Sequence, residues 1–179
     1  MAYGTSSTRA TSAGLDPGKT THTVLEALKL AGLRGVLATG WGGLRAEETP
    51  ESVYVLESVP HEWLFPRMSA VTHHGGAGTT AAGLTAGTPT VICPFSADQP
   101  FWGRVVHQLG VGTTPVPQKT LRADQLAAAL RQATQDAAMR QRAQALGRRL
   151  QTEDGVGAAV RWVETNLAGR QINADQHRF

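Results

Sequence analysis

The chain has one cysteine, Cys93, no Asp-x-Asp anywhere, and no apolar run approaching the length of a membrane span. Each absence excludes something. A lone thiol between Ile92 and Pro94 forms no disulfide framework and supplies no thiolate cluster for a metal. Without Asp-x-Asp, the usual device for gripping a diphosphate through a divalent metal is missing. The short apolar runs exclude a transmembrane helix, and the N-terminus lacks the apolar core of a signal peptide. Charge of either sign is scarce: 17 Lys and Arg against 14 Asp and Glu leave a net +3. The densest group of basic residues, five of the 17, lies in residues 131–149, which reads as a solvated helix face before it reads as a nucleic-acid footprint. These exclusions predict a soluble protein in a reducing, cytoplasmic setting, with no nucleic-acid partner.

What is present divides the chain into three. Residues 1–18, "MAYGTSSTRATSAGLDPG", are polar and without period, and read as a disordered or degenerate leader. Residues 19–168 form one domain and 169–179 a flexible tail. In the domain, Val24, Leu25 and Leu28 fall at helical spacing over residues 19–30, with Gly32 as a stop. Short apolar strands follow at 34–40, 52–59, 69–74 and 88–94, with a fifth short segment near 112–116. Helices are expected at 79–86 and from Asp98, as N-cap, to Gly110, and residues 122–133, 139–150 and 155–167 make a helical C-terminal segment. Apolar strands alternating with helices predict an α/β fold, a Rossmann-like parallel sheet with helices on both faces. Ligands of such sheets bind beyond the carboxyl ends of the strands.

Two stretches stand at such ends. "HHGGAGTT", from His73 to Thr80, removes Cβ atoms where the chain turns into a helix, so main-chain N–H groups can approach a ligand. A helix N-terminus binds phosphate through free N–H groups and its dipole, which makes Gly75, Gly76, Ala77, Gly78 and Thr79 a candidate diphosphate cradle. The stretch fits neither the dinucleotide fingerprint, because Ala81 stands where a third glycine is needed, nor a P-loop. Neighbouring residues of a strand face opposite ways, so only one of His73 and His74 should reach a ligand. In "PFSADQ", Asp98 and Gln99 offer a carboxylate and an amide that together suit the neighbouring hydroxyls of a pyranose. Asp98 would also serve as an ordinary helix cap.

The run from "THHGGAGTTAAGLTAGTPTVICPFSADQPFWG" with "TGWGGL" and "SVPHEWLFPRMSAV" upstream resembles the donor-binding domain of a family 1 glycosyltransferase, one half of a GT-B fold. It is most similar to the sterol and lipid glucosyltransferases. The resemblance implies a hydrogen bond from His73 to the donor diphosphate, phosphate contacts at Gly78 and Thr79, and sugar hydroxyls held by Asp98 and Gln99. It further implies that Val59 faces the uracil with its backbone, and it sets His61 where relatives place a ribose-binding glutamine. The family's base-stacking tryptophan and ribose-binding glutamate are replaced by Ser58 and Ala81, which leaves Trp41 or Trp63 as candidates for stacking.

The implied reaction is metal-independent transfer of a hexose from a UDP-sugar, or a dTDP-sugar, to a hydroxyl of a sterol, lipid or other hydrophobic acceptor, with no cofactor. No catalytic base is assigned: His22, His61, His74 and His107 are the candidates, and none stands in a His-Asp motif. Relatives place the base in an acceptor domain that this chain does not show. "AY" is expected to be too short to supply the central first strand, so the chain is read as a fragment, a partnered subunit or a self-associating domain. A non-catalytic nucleotide-sugar-binding module is the alternative.

Overall fold

In the computed structural model, residues 2–4, 17–38 and 49–167 are described. Five parallel strands form one sheet: β1 (Ala2–Gly4), β2 (Gly35–Ala38), β3 (Val53–Leu56), β4 (Val71–His73) and β5 (Thr90–Ile92). Their order is β3-β2-β1-β4-β5. The helices are α1 (Pro17–Ala31), α2 (His61–Leu64), α3 (Ala77–Thr85), α4 (Gln99–Gln108), α5 (Ala123–Gln135), α6 (Ala137–Gln151) and α7 (Gly155–Leu167). The segment expected as a last strand makes only a single parallel bridge, Thr90 to Gly112.

The expectation that "AY" could not supply a central strand is overturned. Ala2–Gly4 lies between β2 and β4 and pairs with both, Gly4 standing in register with Ala38 on one side and His73 on the other. Three residues suffice because the two neighbours are themselves short: β4 has three residues and β2 four. The residues between this strand and α1, like those of "TGWGGL" with Trp41, lie outside the described ones.

Helices cover both faces, and strand alternation divides the core accordingly. On one face Leu37, Val53, Val91 and Cys93 pack with Val24 and Leu28 of α1 and Leu126 and Leu130 of α5. On the other, Val71 joins Leu64, Phe65, Ala82 and Ala86, and Ile92 joins Val106, Val111, Ala143 and Trp102. Burial pushes the Cys93 thiol up to about 12, so it is an inert core residue.

The late basic segment ties helices together. Arg131 donates to the Leu30 carbonyl at the end of α1 (2.8 Å), and Arg142 to the Gly110 carbonyl just past α4 (2.8 Å). Cations at helix C-termini satisfy orphan carbonyls and complement the dipole. Among the described residues no helix is long and apolar enough to cross a membrane.

Candidate functional site

The strand order doubles back at β1: β2 and β3 lie on one side of it, β4 and β5 on the other. The crevice outside the carboxyl ends of β1 and β4 is therefore the topological switch point, where sheets of this kind receive ligands. His73 closes β4 at that edge.

Gly75 follows with φ +94°, a left-handed conformation that glycine adopts without strain, and it turns the chain toward α3. The turn is tight on its inner side: a Cβ on Gly75 would stand 2.6 Å from Ile92 Cγ2 and 3.3 Å from the Gln99 carbonyl oxygen. The β4–α3 turn thus lies directly against the start of α4. Gly76 is the N-cap of α3, and the first helical bond runs from Thr80 N–H to Gly76 O at 2.9 Å. The N–H groups of Ala77, Gly78 and Thr79 therefore have no carbonyl of their own helix to bond. Ala77 and Gly78 are exposed, and a Cβ on Gly78 would meet nothing within 4 Å. Thr79 differs: it is buried.

The two histidines take different places. The His73 ring is fully buried, with Nε2 near Gly83 of α3, and its Nδ1 accepts the Gly75 N–H at 3.0 Å. Its Nε2 has no hydrogen-bond partner among the described residues. Burial first, then the neighbouring His74 and His61, pushes its pKa down to about 3, so the ring is neutral. His74 is half-buried and lies over the glycine turn, its Nε2 only 2.5 Å from where a Gly76 Cβ would stand. Burial lowers its pKa, the carboxylate of Asp98 opposes that shift, and His61 adds to it. His61 and Asp98 therefore stand near enough to His74 to act on its charge.

Beyond β5, Ala97 adopts φ +55°, a left-handed backbone rare outside glycine, immediately before Asp98. The expected helix cap at Asp98 is not formed: its backbone is helical, φ −78° and ψ −9°, and its side chain makes no cap bond. Instead Asp98 Oδ2 accepts the indole N–H of Trp102 at 2.8 Å. Gln99 Oε1 accepts the N–H groups of Phe95 (2.8 Å) and Ser96 (3.2 Å), which leaves its NH₂ as the donating half. Asp98 is exposed and Gln99 half-buried. No sequence signal marked Trp102; only its position one turn after Asp98 on α4 hinted at contact.

The nucleoside candidates are less closely gathered. Val59 packs beside Leu64 and Phe65. The His61 ring stacks on Phe65, centroids 4.5 Å apart, and burial lowers its pKa. Trp63 is 54% exposed and carries the Arg67 guanidinium 4.4 Å over its ring, so one face of the indole is occupied. Of the remaining base candidates, His22 and His107 are exposed on α1 and α4. Among the described residues no three His, Cys, Asp or Glu side chains are grouped to hold a metal ion.

The fold is that of the C-terminal half of a GT-B glycosyltransferase. Solved structures agree: the glycotransferase of kitacinnamycin superimposes with a TM-score of 0.76 at 28% identity over 92% of this chain and 42% of that one. The calicheamicin glycosyltransferase CalG4 has the same fold, with a TM-score of 0.76 at 20% identity, covering 95% of this chain and 42% of its own. The chain belongs to the erythromycin biosynthesis protein CIII-like C-terminal domain family, whose pattern matches residues 43–154. Its homologues include the sterol 3-beta-glucosyltransferase UGT80A2 of Arabidopsis thaliana, 47% identical over 159 residues, 88% of this chain and 25% of that protein. A sterol 3-beta-glucosyltransferase of Emericella nidulans is 41% identical over 160 residues, 85% of this chain and 11% of that protein. The chain is thus of glycosyltransferase lineage and spans a quarter or less of these curated relatives' length.

Proposed function

We propose that this domain binds a UDP-hexose, of which UDP-glucose is the first candidate, and presents its sugar for transfer to a hydroxyl of a sterol-like or other lipid acceptor. The observation that carries the reading is the meeting of two loops across Gly75, whose missing side chain lets the open N-terminus of α3 lie against the Asp98–Gln99 pair. A diphosphate needs N–H donors and a sugar needs a hydroxyl-binding carboxylate and amide, with one bond between them. Here the two sets of groups are neighbours.

In this reading the N–H groups of Ala77, Gly78 and Thr79 and the Nε2–H of His73 take the diphosphate oxygens, with Gly75 and Gly76 keeping the approach open. The unpartnered Nε2–H supports the role of His73, since a buried donor without an acceptor is costly and an incoming phosphate oxygen would satisfy it. Charge developing on the leaving diphosphate is stabilised by the same groups, without a metal. Asp98 and Gln99 hold the hexose hydroxyls, and Val59, His61 and Trp63 border the nucleoside. The acceptor and the base that deprotonates it belong to a further domain of the kind that fills out the longer relatives.

Isothermal titration of the chain with UDP, UDP-glucose and dTDP-glucose, each with and without a chelator, tests this. Each of UDP and UDP-glucose should bind as well with the chelator as without it, UDP-glucose more tightly than UDP. Binding that appears only with magnesium or manganese removes the helix-terminus account, and absence of binding in both conditions removes the donor-site reading itself.

A further inference from the structure

Among the described residues three aspartates immediately precede helices, and Asp98 behaves oppositely to the other two. Asp154, before α7, accepts the Gly157 N–H at 2.8 Å. Asp136 has extended ψ, 101°, and accepts the Met139 N–H at 2.9 Å as an ordinary cap of α6. Asp98 precedes α4 with a helical ψ of −9°, makes no cap bond, and gives Oδ2 to the Trp102 indole. A cap requires β-region backbone so that the side chain can reach back to the first-turn N–H groups. The left-handed Ala97 sets up the alternative turn, and Trp102 supplies the carboxylate with another partner. That partner is anchored: the indole packs against the cluster of Ile92, Val106, Val111 and Ala143, and the Phe101 ring meets it edge-on at 5.2 Å.

We propose that Trp102 is a positioning residue for donor-sugar recognition: its core-anchored indole N–H draws Asp98 off the helix cap, occupies Oδ2, and fixes Oδ1 as the oxygen offered to a sugar hydroxyl. This rests on the reading of Asp98 as a sugar ligand. A flexible exposed carboxylate would lose rotamer freedom on binding; one already held by a rigid ring does not, and its direction becomes selective. Gln99 is fixed in the same manner by the Phe95 and Ser96 N–H groups, so both members of the pair are oriented before a ligand arrives. Trp102 touches no reacting atom and acts through Asp98.

The test is a double-mutant cycle read with two ligands. UDP-glucose and UDP are titrated into the wild-type chain, Trp102→Phe, Asp98→Ala and the double variant, with melting temperatures to verify folding. Trp102→Phe keeps an aromatic ring and removes the N–H; it should weaken UDP-glucose binding about five- to tenfold and UDP binding by less than about twofold. In the Asp98→Ala background it should add nothing, because the partner through which it acts is gone. Equal loss for both ligands, or a loss that persists without Asp98, shows a packing role and overturns the proposal. If Asp98→Ala discriminates between the ligands and Trp102→Phe does not, the proposal alone falls. If Asp98→Ala affects both alike, or the wild type binds the two equally tightly, the sugar-ligand reading has failed and the proposal falls with it. Should the Phe variant melt too low to titrate, Trp102→Leu, which suits the apolar cluster and also lacks the donor, is read with the same expectations.

Discussion

The Gly75 N–H donates to Nδ1 of His73 at 3.0 Å, and this one bond decides where the imidazole proton resides. A neutral ring that accepts at Nδ1 carries its hydrogen on Nε2. Turn and side chain thereby set each other: the glycine conformation presents its N–H to the ring, and the ring is left with one buried donor that has no acceptor among the described residues.

His73→Ala should therefore weaken UDP binding by about 1–3 kcal/mol, the usual loss for a hydrogen bond to a charged group, while His74→Ala costs clearly less. Titration calorimetry on the pair decides it. A larger loss at His74, whose ring overlies the turn, would transfer the phosphate contact to that residue.

The pH dependence of stability follows from the same burial. His73 has a folded pKa of about 3, below its ordinary 6.5, so under acidic conditions the unfolded chain binds a proton that the folded chain refuses. Stability then rises with pH up to about 6.5 and is lost as pH falls below it. At pH 5 the single-group effect is about 2 kcal/mol, and the lowered values of His61 and His74 add in the same direction. Denaturant unfolding at pH 7 and pH 5 should show this loss. His73→Asn, which keeps an acceptor for Gly75 and never titrates, should show a shallower pH slope; an unchanged slope contradicts the assignment.

Two glycines should separate folding from binding. Gly75→Ala forces a Cβ into positive φ and against Ile92, and should cost about 1–3 kcal/mol in stability by thermal unfolding. Gly78→Leu enters open space in the first turn of α3, so it should leave the melting temperature level or raised. It should nonetheless reduce UDP affinity at least tenfold, by covering the helix N–H groups. Retained affinity would mean that the phosphates do not approach there.

Removing residues 1–4 should lower the melting temperature and promote self-association, seen by light scattering. Without β1 the facing edges of β2 and β4 lose their shared partner and become templates for other chains. Hydrogen exchange should show slow amides in β2 and β4 of the intact chain and fast ones after truncation. No change in either measurement would place the central strand elsewhere.

The sequence determined the alternation of short apolar strands and helices, because periodicity and glycine punctuation are local. It thereby determined the parallel sheet, the two loops at its carboxyl edge and the family resemblance. Tertiary structure decided what depends on distant partners. Ala2–Gly4 has no period to read, and becomes a strand only because β2 and β4 both have backbone groups to pair with it. Alternation correctly separates neighbours within β4, but the strand ends at His73, so His74 obeys no strand rule and lies over Gly76. Asp98 bears the local pattern of a helix cap, and only the left-handed turn at Ala97 and an indole held in the core by Ile92 and Val106 turn its carboxylate to another use. Local pattern specifies which bonds an amino acid is able to make; packing decides which of them it makes.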